Sequence, residues 1–123
     1  MDIISTQSAP VAIGPYSQAI RSQGFLFCSG QLGIDPSTGK LISDEIEDQT
    51  LQAIKNLKSI LESGGSGLKN IVKVTIFITS MDNFKKVNEI YGRELEGHKP
   101  ARSTVEVSKL PLGAKVEIEC IAE

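Results

Sequence analysis

Glu117 and Glu119 stand two residues apart in Val116-Glu117-Ile118-Glu119, and Arg102 stands in Ala101-Arg102-Ser103-Thr104. A carboxylate within a strand-like run can activate water, and a guanidinium can hold another carboxylate through two hydrogen bonds. Alternation assigns the faces of such runs. Val116, Ile118, Cys120 and Ala122 point toward a core, which leaves Glu117, Glu119 and Ile121 on the other face. In the preceding run Val105 and Val107 group with Ser103, and Arg102, Thr104 and Glu106 lie opposite. Leu26 and Cys28 likewise oppose Phe25, Phe27 and Ser29. The alternation therefore gathers Arg102, Thr104, Glu117 and Ser29 beside Phe25 and Phe27, on the sheet face away from any helix. That mixture suits an interface or a pocket, while a solvated face of paired charges accounts for the same pattern. Asn88 falls on the margin of a helical apolar stripe with Phe84, Tyr91 and Leu95, where its amide needs a structural or a ligand partner.

The elements that must position these residues follow from periodicity and turn chemistry. Ser17 to Ser29 reads as a hairpin around Gln23-Gly24, and Asp35-Pro36-Ser37-Thr38-Gly39 reads as a turn. Asp44 to Ser63 is predicted as a helix with an apolar stripe of Ile46, Ala53, Ile54, Leu57, Ile60 and Leu61. Acidic residues crowd its first turns, where the helix dipole favours anions, and Gly64-Gly65 can end it. Ile71 to Thr79 reads as a strand with Val72, Val74, Ile76 and Ile78 on one face. A second helix is predicted over Asp82 to Leu95, then strands over Ala101–Val107 and Lys115–Ala122 around a Leu110-Pro111-Leu112-Gly113 turn. Two helices for about five strands imply an α+β domain, one sheet with helices on one side, whose other face meets water or a second subunit.

Composition removes several classes of function. The 123 residues make room for a single domain, 1–123, and the charged share of 23% is that of a globular chain. A net charge of -2 counts against nucleic acid as a partner. No apolar run approaches the roughly 18 residues a membrane span needs, and Met1 to Pro10 has no basic start or apolar signal core, which points to the cytoplasm. Cys28 and Cys120 have no metal-ligand spacing and read as reduced thiols packed in the core, so no metal site is expected. Gly33 to Lys40 misses a phosphate-binding loop by one residue of spacing, with Leu41 where a Ser or Thr would meet magnesium. The single histidine, His98, excludes a two-histidine ribonuclease mechanism and makes a serine triad hard to build.

Four stretches together resemble the Rid (reactive intermediate deaminase) family, also called the YjgF family. They are Ala12-Ile13-Gly14-Pro15-Tyr16-Ser17-Gln18-Ala19, Ser29-Gly30-Gln31, Pro100-Ala101-Arg102-Ser103 and Val116-Glu117-Ile118-Glu119. With Met81-Asp82-Asn83-Phe84 and Val87-Asn88-Glu89, the resemblance runs from about Ser5 to the C-terminus. It implies a chorismate-mutase-like fold, a single mixed sheet with two helices packed on one face, assembled as a homotrimer with pockets in clefts between subunits. The last strand would lie between the hairpin and the Ile71 strand, and the Arg102 strand at the sheet edge. Carried over by position, Arg102 resembles the family's carboxylate-binding arginine and Glu117 the carboxylate that positions a hydrolytic water. Tyr16, Ser29, Gly30, Asn88 and Thr104 match pocket positions. Some members carry cysteine where this chain has Thr104, which removes a thiol nucleophile here. Glu94-Leu95 stands where many relatives have two aromatics, which bears on the pocket's apolar wall. The implied activity is hydrolysis of 2-imino (enamine) acids to 2-oxo acids and ammonia, with no cofactor. A sensor binding small carboxylates and an RNA-cleaving translation inhibitor are the competing expectations.

Overall fold

The computed structural model describes residues 1–123. Gln23 and Gly24 both take left-handed backbone, with φ of 54° and 82°, the turn geometry that matches the twist of a two-residue hairpin. This turn joins β2 (Ala19–Ser22) to β3 (Phe25–Leu32), and β1 (Asp2–Ile4) adds to the outer edge of β2, a strand the alternation missed. A two-stranded ribbon, β4 (Ile34–Asp35) and β5 (Lys40–Leu41), flanks the expected Asp35–Gly39 turn. Helix α1 (Ile46–Ser63) follows, then β6 (Ile71–Ile78), helix α2 (Phe84–Glu94), β7 (Ala101–Glu106) and β8 (Val116–Ala122). The main sheet has six strands in the order β1-β2-β3-β8-β6-β7, with β6 and β7 parallel and the other pairs antiparallel. Both helices cover one face, and β8 and β7 occupy the central and edge positions that the family resemblance implies.

The core lies between that face and the helices. Leu26, Val74, Ile76, Ile78, Val116 and Ile118 from the sheet meet Ala53, Leu57, Ile60, Leu61 and Val87 from the helices, all essentially without solvent contact. Helix α1 approaches closely because Gly33 has no side chain: a Cβ there would lie 2.5 Å from the Gln49 Cα. Two buried amides of α1 fix the loops at the same end. Asn56 donates to the Leu32 and Ile34 carbonyls at 3.1 and 2.9 Å, and the Gln49 Oε1 accepts from the Lys115 backbone N–H at 2.8 Å.

Two face assignments are corrected. Val72 is 38% exposed instead of inward, because the β6–β8 register shifts between Ile71 and Lys73 and Ile71 takes the core position. The second correction concerns the site. Side chains paired in register leave a sheet on the same side. Arg102 pairs with buried Val74, and Thr104 with buried Ile76, so both belong to the helix-covered face. Val105, expected inward, pairs with Phe77 on the open face and is 41% exposed. β7 is an edge strand roofed by the aromatic residues of α2, a cover that accepts polar side chains, so polarity misassigns its faces.

Candidate functional site

The corrected register divides the candidate residues into two sets on opposite faces of one sheet. On the open face, β3 carries a bulge: Cys28 pairs with Cys120 and Gln31 with Ile118, so Ser29 and Gly30 together stand opposite the one residue between, Glu119. The bulge turns both residues toward the open side. Ser29 is held there by its backbone N–H donating to the Gln18 carbonyl at 2.9 Å and its hydroxyl to the Ser17 carbonyl at 2.6 Å. Gln18 is itself buried and anchors the N-terminal segment, accepting from the Thr6 N–H at 2.7 Å and donating to the Pro10 carbonyl at 2.8 Å. Tyr16 follows a tight turn in which its N–H donates to the Gly14 carbonyl, with Gly14 at φ 118°.

Glu117 lies over Gly30. A Cβ on Gly30 would come within 2.8 Å of the Glu117 Cδ, so the glycine makes room for the carboxyl group itself. Burial pushes the Glu117 carboxyl above the ordinary carboxylate range, and the charge of Glu119 adds to the effect. Neither carboxylate has a hydrogen-bond or ion-pair partner in the chain, whose ion pairs are Lys86–Glu47 and Arg93–Glu94. Both face a cavity of about 740 Å³ with Tyr16, Ser29 and Gly30. Its apolar wall is Val11, Ile13, Leu32, Ile34, Pro111 and Leu112. The alternation did not find this wall, because Val11, Ile13, Pro111 and Leu112 lie outside the strands, and Leu112 is turned outward by a left-handed backbone at φ 61°. Glu119 is a further cavity residue that was placed on the correct face without a role.

The second set lies on the helix-covered face at the sheet edge. The Arg102 guanidinium stacks over the rings of Tyr91 and Phe84, 5.0 and 5.7 Å from their centroids, and makes no hydrogen bond or ion pair within the chain. Around it, Asn88 Oδ1, the Tyr91 hydroxyl and Thr104 Oγ1 are buried without a partner. Unpaired buried polar atoms are costly, and three in one patch mark it as unfinished. Burial pushes the Tyr91 phenol up, with Arg102 opposing, so the hydroxyl keeps its proton. Tyr91 was read as a core residue; its hydroxyl joins the polar set.

Arg102, Asn88 and Thr104 thus converge with one another, and Tyr16, Ser29, Gly30 and Glu117 converge with one another, but the sets do not meet within a chain. Other nucleophiles are committed elsewhere. Cys28 and Cys120 are free, buried and paired in register, and the neighbouring Cys28 thiol together with burial holds the Cys120 thiol far above its usual range. His98 Nε2 lies 2.7 Å from the Ile71 carbonyl. No group of three or more His, Cys, Asp or Glu residues is placed to hold a metal ion. No helix is long and apolar enough to cross a membrane.

Residues 6–123 match the family model described as Endoribonuclease L-PSP. The chain is 50% identical over 121 residues to Reactive Intermediate Deaminase A, chloroplastic, of Arabidopsis thaliana, a match that spans 98% of this chain and 65% of the plant protein. It is 46% identical to the 2-iminobutanoate/2-iminopropanoate deaminase of Mus musculus, over 98% of this chain and 89% of the mouse protein. The crystal structure of a conserved Rid-family protein from Yersinia pestis superposes with a TM-score of 0.96 at 53% identity, covering 98% of this chain and 97% of that one.

Proposed function

The chain belongs to the Rid (Endoribonuclease L-PSP) family, and on that premise we propose that it hydrolyses 2-imino acids to 2-oxo acids and ammonia at a site built from two copies. One observation carries the reading: an unpaired arginine beside an unfinished polar set, and an unpaired carboxylate in a cavity, lie on opposite faces of one sheet. A second copy that brings its Arg102 face against the Glu117 cavity puts the two groups in one site. The open face supports such an assembly. Ile3, Ile20, Phe27 and Ile121 are register neighbours across four strands, and Ile3 and Phe27 are 71% and 46% exposed. A closed ring of three copies, the homotrimer, uses each kind of face once per subunit.

In this site the planar fork of Arg102 takes the substrate carboxylate, and the Tyr91 and Phe84 rings beneath it fix its plane. Asn88 and Thr104 offer hydrogen bonds on the same side, and Tyr16 and the apolar wall receive the side chain. Glu117 takes a proton from water as the oxygen attacks the iminium carbon, forming a 2-amino-2-hydroxy acid. It returns that proton to nitrogen, then takes the hydroxyl proton as the C–N bond breaks with its electron pair leaving on nitrogen, and passes it to the departing ammonia, so that a 2-oxo acid and ammonium result. A carboxyl group with raised proton affinity suits both halves of this exchange. The iminium carbon is already electrophilic, so positioning and proton transfer suffice. Two free thiols fit the reducing conditions of the cytoplasm, where we place the reaction.

RNA cleavage, which the family description names, is the weaker reading. The chain is acidic, the cavity sets two carboxylates against the one Arg102 that a second copy would bring, and the lone histidine is engaged by a backbone carbonyl. The test is ammonia release from freshly generated 2-iminobutanoate. Arg102→Ala is expected to lower kcat/KM about 100-fold or more. A wild-type chain that binds small carboxylates without accelerating hydrolysis is a sensor and ends the enzymatic proposal.

A further inference from the structure

We infer that Glu119 is a positioning residue for this reaction: it keeps Glu117 exchanging protons and gives the cavity the charge that receives the cationic end of the substrate. The inference rests on the proposed reaction and concerns a residue to which that mechanism gives no part. Glu117 and Glu119 are two apart on β8, so their side chains leave the open face in the same direction, and both line the cavity of about 740 Å³. No Lys, Arg or His is among the residues of that wall. Two carboxylates in one partly enclosed space repel, and a protonated imine or departing ammonium beside them relieves that repulsion.

Within one chain the groups on the packed elements leave this pair uncompensated, and the Arg102 that a second copy brings is assigned to the substrate carboxylate. On β6, Phe77 stands opposite Glu117 and Thr75 opposite Glu119; the next residue on that face, Lys73, directs its amine to the Ser103 hydroxyl at 3.2 Å. From β3 the bulge contributes Ser29 and Gly30, which carry no charge. The N-terminal segment contributes the Tyr16 phenol. On the small ribbon Asp35 is occupied by the Ser37 N–H and hydroxyl, and Lys40 is exposed beside Gly39. Lys115, next along from β8, donates its amine to the Asp44 carbonyl. Within a chain, the nearest charge to act on Glu117 from its own face of β8 is therefore Glu119, in keeping with the upward displacement already described.

The experiment follows the Glu117 side-chain carboxyl by carbon-detected NMR titration in the full-length assembled protein, beside the pH profile of kcat/KM for 2-iminobutanoate. Glu119→Gln is expected to lower the Glu117 midpoint by about half a pH unit or more. The acid limb of kcat/KM should move down by the same amount, with KM raised for the cationic substrate. Glu119→Asp, which keeps the charge, should restore most of the midpoint and the limb. A merely structural role for Glu119 moves neither. An unmoved Glu117 midpoint in Glu119→Gln overturns the inference whether or not imine is turned over. A midpoint that moves in a chain that leaves imine hydrolysis unaccelerated keeps the coupling of the two carboxylates and sinks the assigned reaction.

Discussion

Gly30 and Glu117 share one volume, and that sharing separates stability from activity. A Cβ on Gly30 would meet Cδ, Cγ and Oε2 of Glu117, the far end of a flexible side chain that can swing aside at little cost. Gly30→Ala should therefore leave the thermal midpoint within a few degrees of wild type while lowering kcat for imine hydrolysis about tenfold or more. Stopped assays alongside melting curves check both halves; equal losses in both would refute the separation. Glu117 itself carries a pH signature. Its carboxyl has a higher proton affinity folded than unfolded, so the folded state binds more protons through the carboxylate range, and its contribution to stability falls as pH rises through that range. Glu117→Gln should consequently melt above wild type at neutral pH, with the gain vanishing in acid below the unfolded carboxylate range. Calorimetry at several pH values reads this directly, and a constant difference at every pH contradicts it. At this scale the open-face placement of Glu117 and Ser29 was legible in the strand alternation, while Gly30 came only from the family motif. The Tyr91 hydroxyl and the Leu112 wall were not legible. One shares a helical stripe with core residues, and the other depends on a left-handed backbone that no periodicity encodes.

The elements show the same division. The 23–24 hairpin was readable from its turn, both helices from an apolar stripe at helical spacing, and β8 from Val116, Ile118, Cys120 and Ala122 on one face. β7 was readable as a strand but its faces were not, since its polarity reports a roof of Phe84 and Tyr91 rings instead of solvent. Val72 failed through a one-residue register shift, a property of the pairing and not of β6 alone. Loop placement rests on buried amides, which alternation does not reveal. Asn56 is wholly buried and donates to the carbonyls of Leu32 and Ile34, two residues of the cavity wall, while Gln52 donates to its Oδ1 at 2.9 Å. Asn56→Leu removes both donors and leaves the carbonyls unpaired, which should cost about 2–4 kcal/mol. Urea titration measures the loss; a change below about 0.5 kcal/mol would mean that these amide bonds contribute little to holding the wall.

For the whole molecule, opposite placement of Arg102 and Glu117 makes assembly a condition of the proposed reaction. If each site takes its arginine set from one copy and its carboxylate set from a neighbour, Arg102→Ala and Glu117→Gln damage different halves of the same cleft. Each variant alone should be nearly inactive, because every site in its assembly lacks one group. Mixed, unfolded and refolded together in equal amounts, the two chains distribute at random. A given site then receives an intact Arg102 with a chance of about one half and an intact Glu117 with the same chance, so about a quarter of wild-type activity should return. Refolding each variant separately and mixing afterwards should return almost none unless subunits exchange. The apolar row of Ile3, Ile20, Phe27 and Ile121 supplies the control: Phe27→Glu puts a charge into the face proposed to join copies, and should both dissociate the assembly and abolish the rescue. Sedimentation of the refolded mixtures reports the association state beside the rate. Complementation that fails in fully assembled mixtures would show that both groups act within one chain, which the register of β6, β7 and β8 forbids, or that one of them plays no part in the reaction.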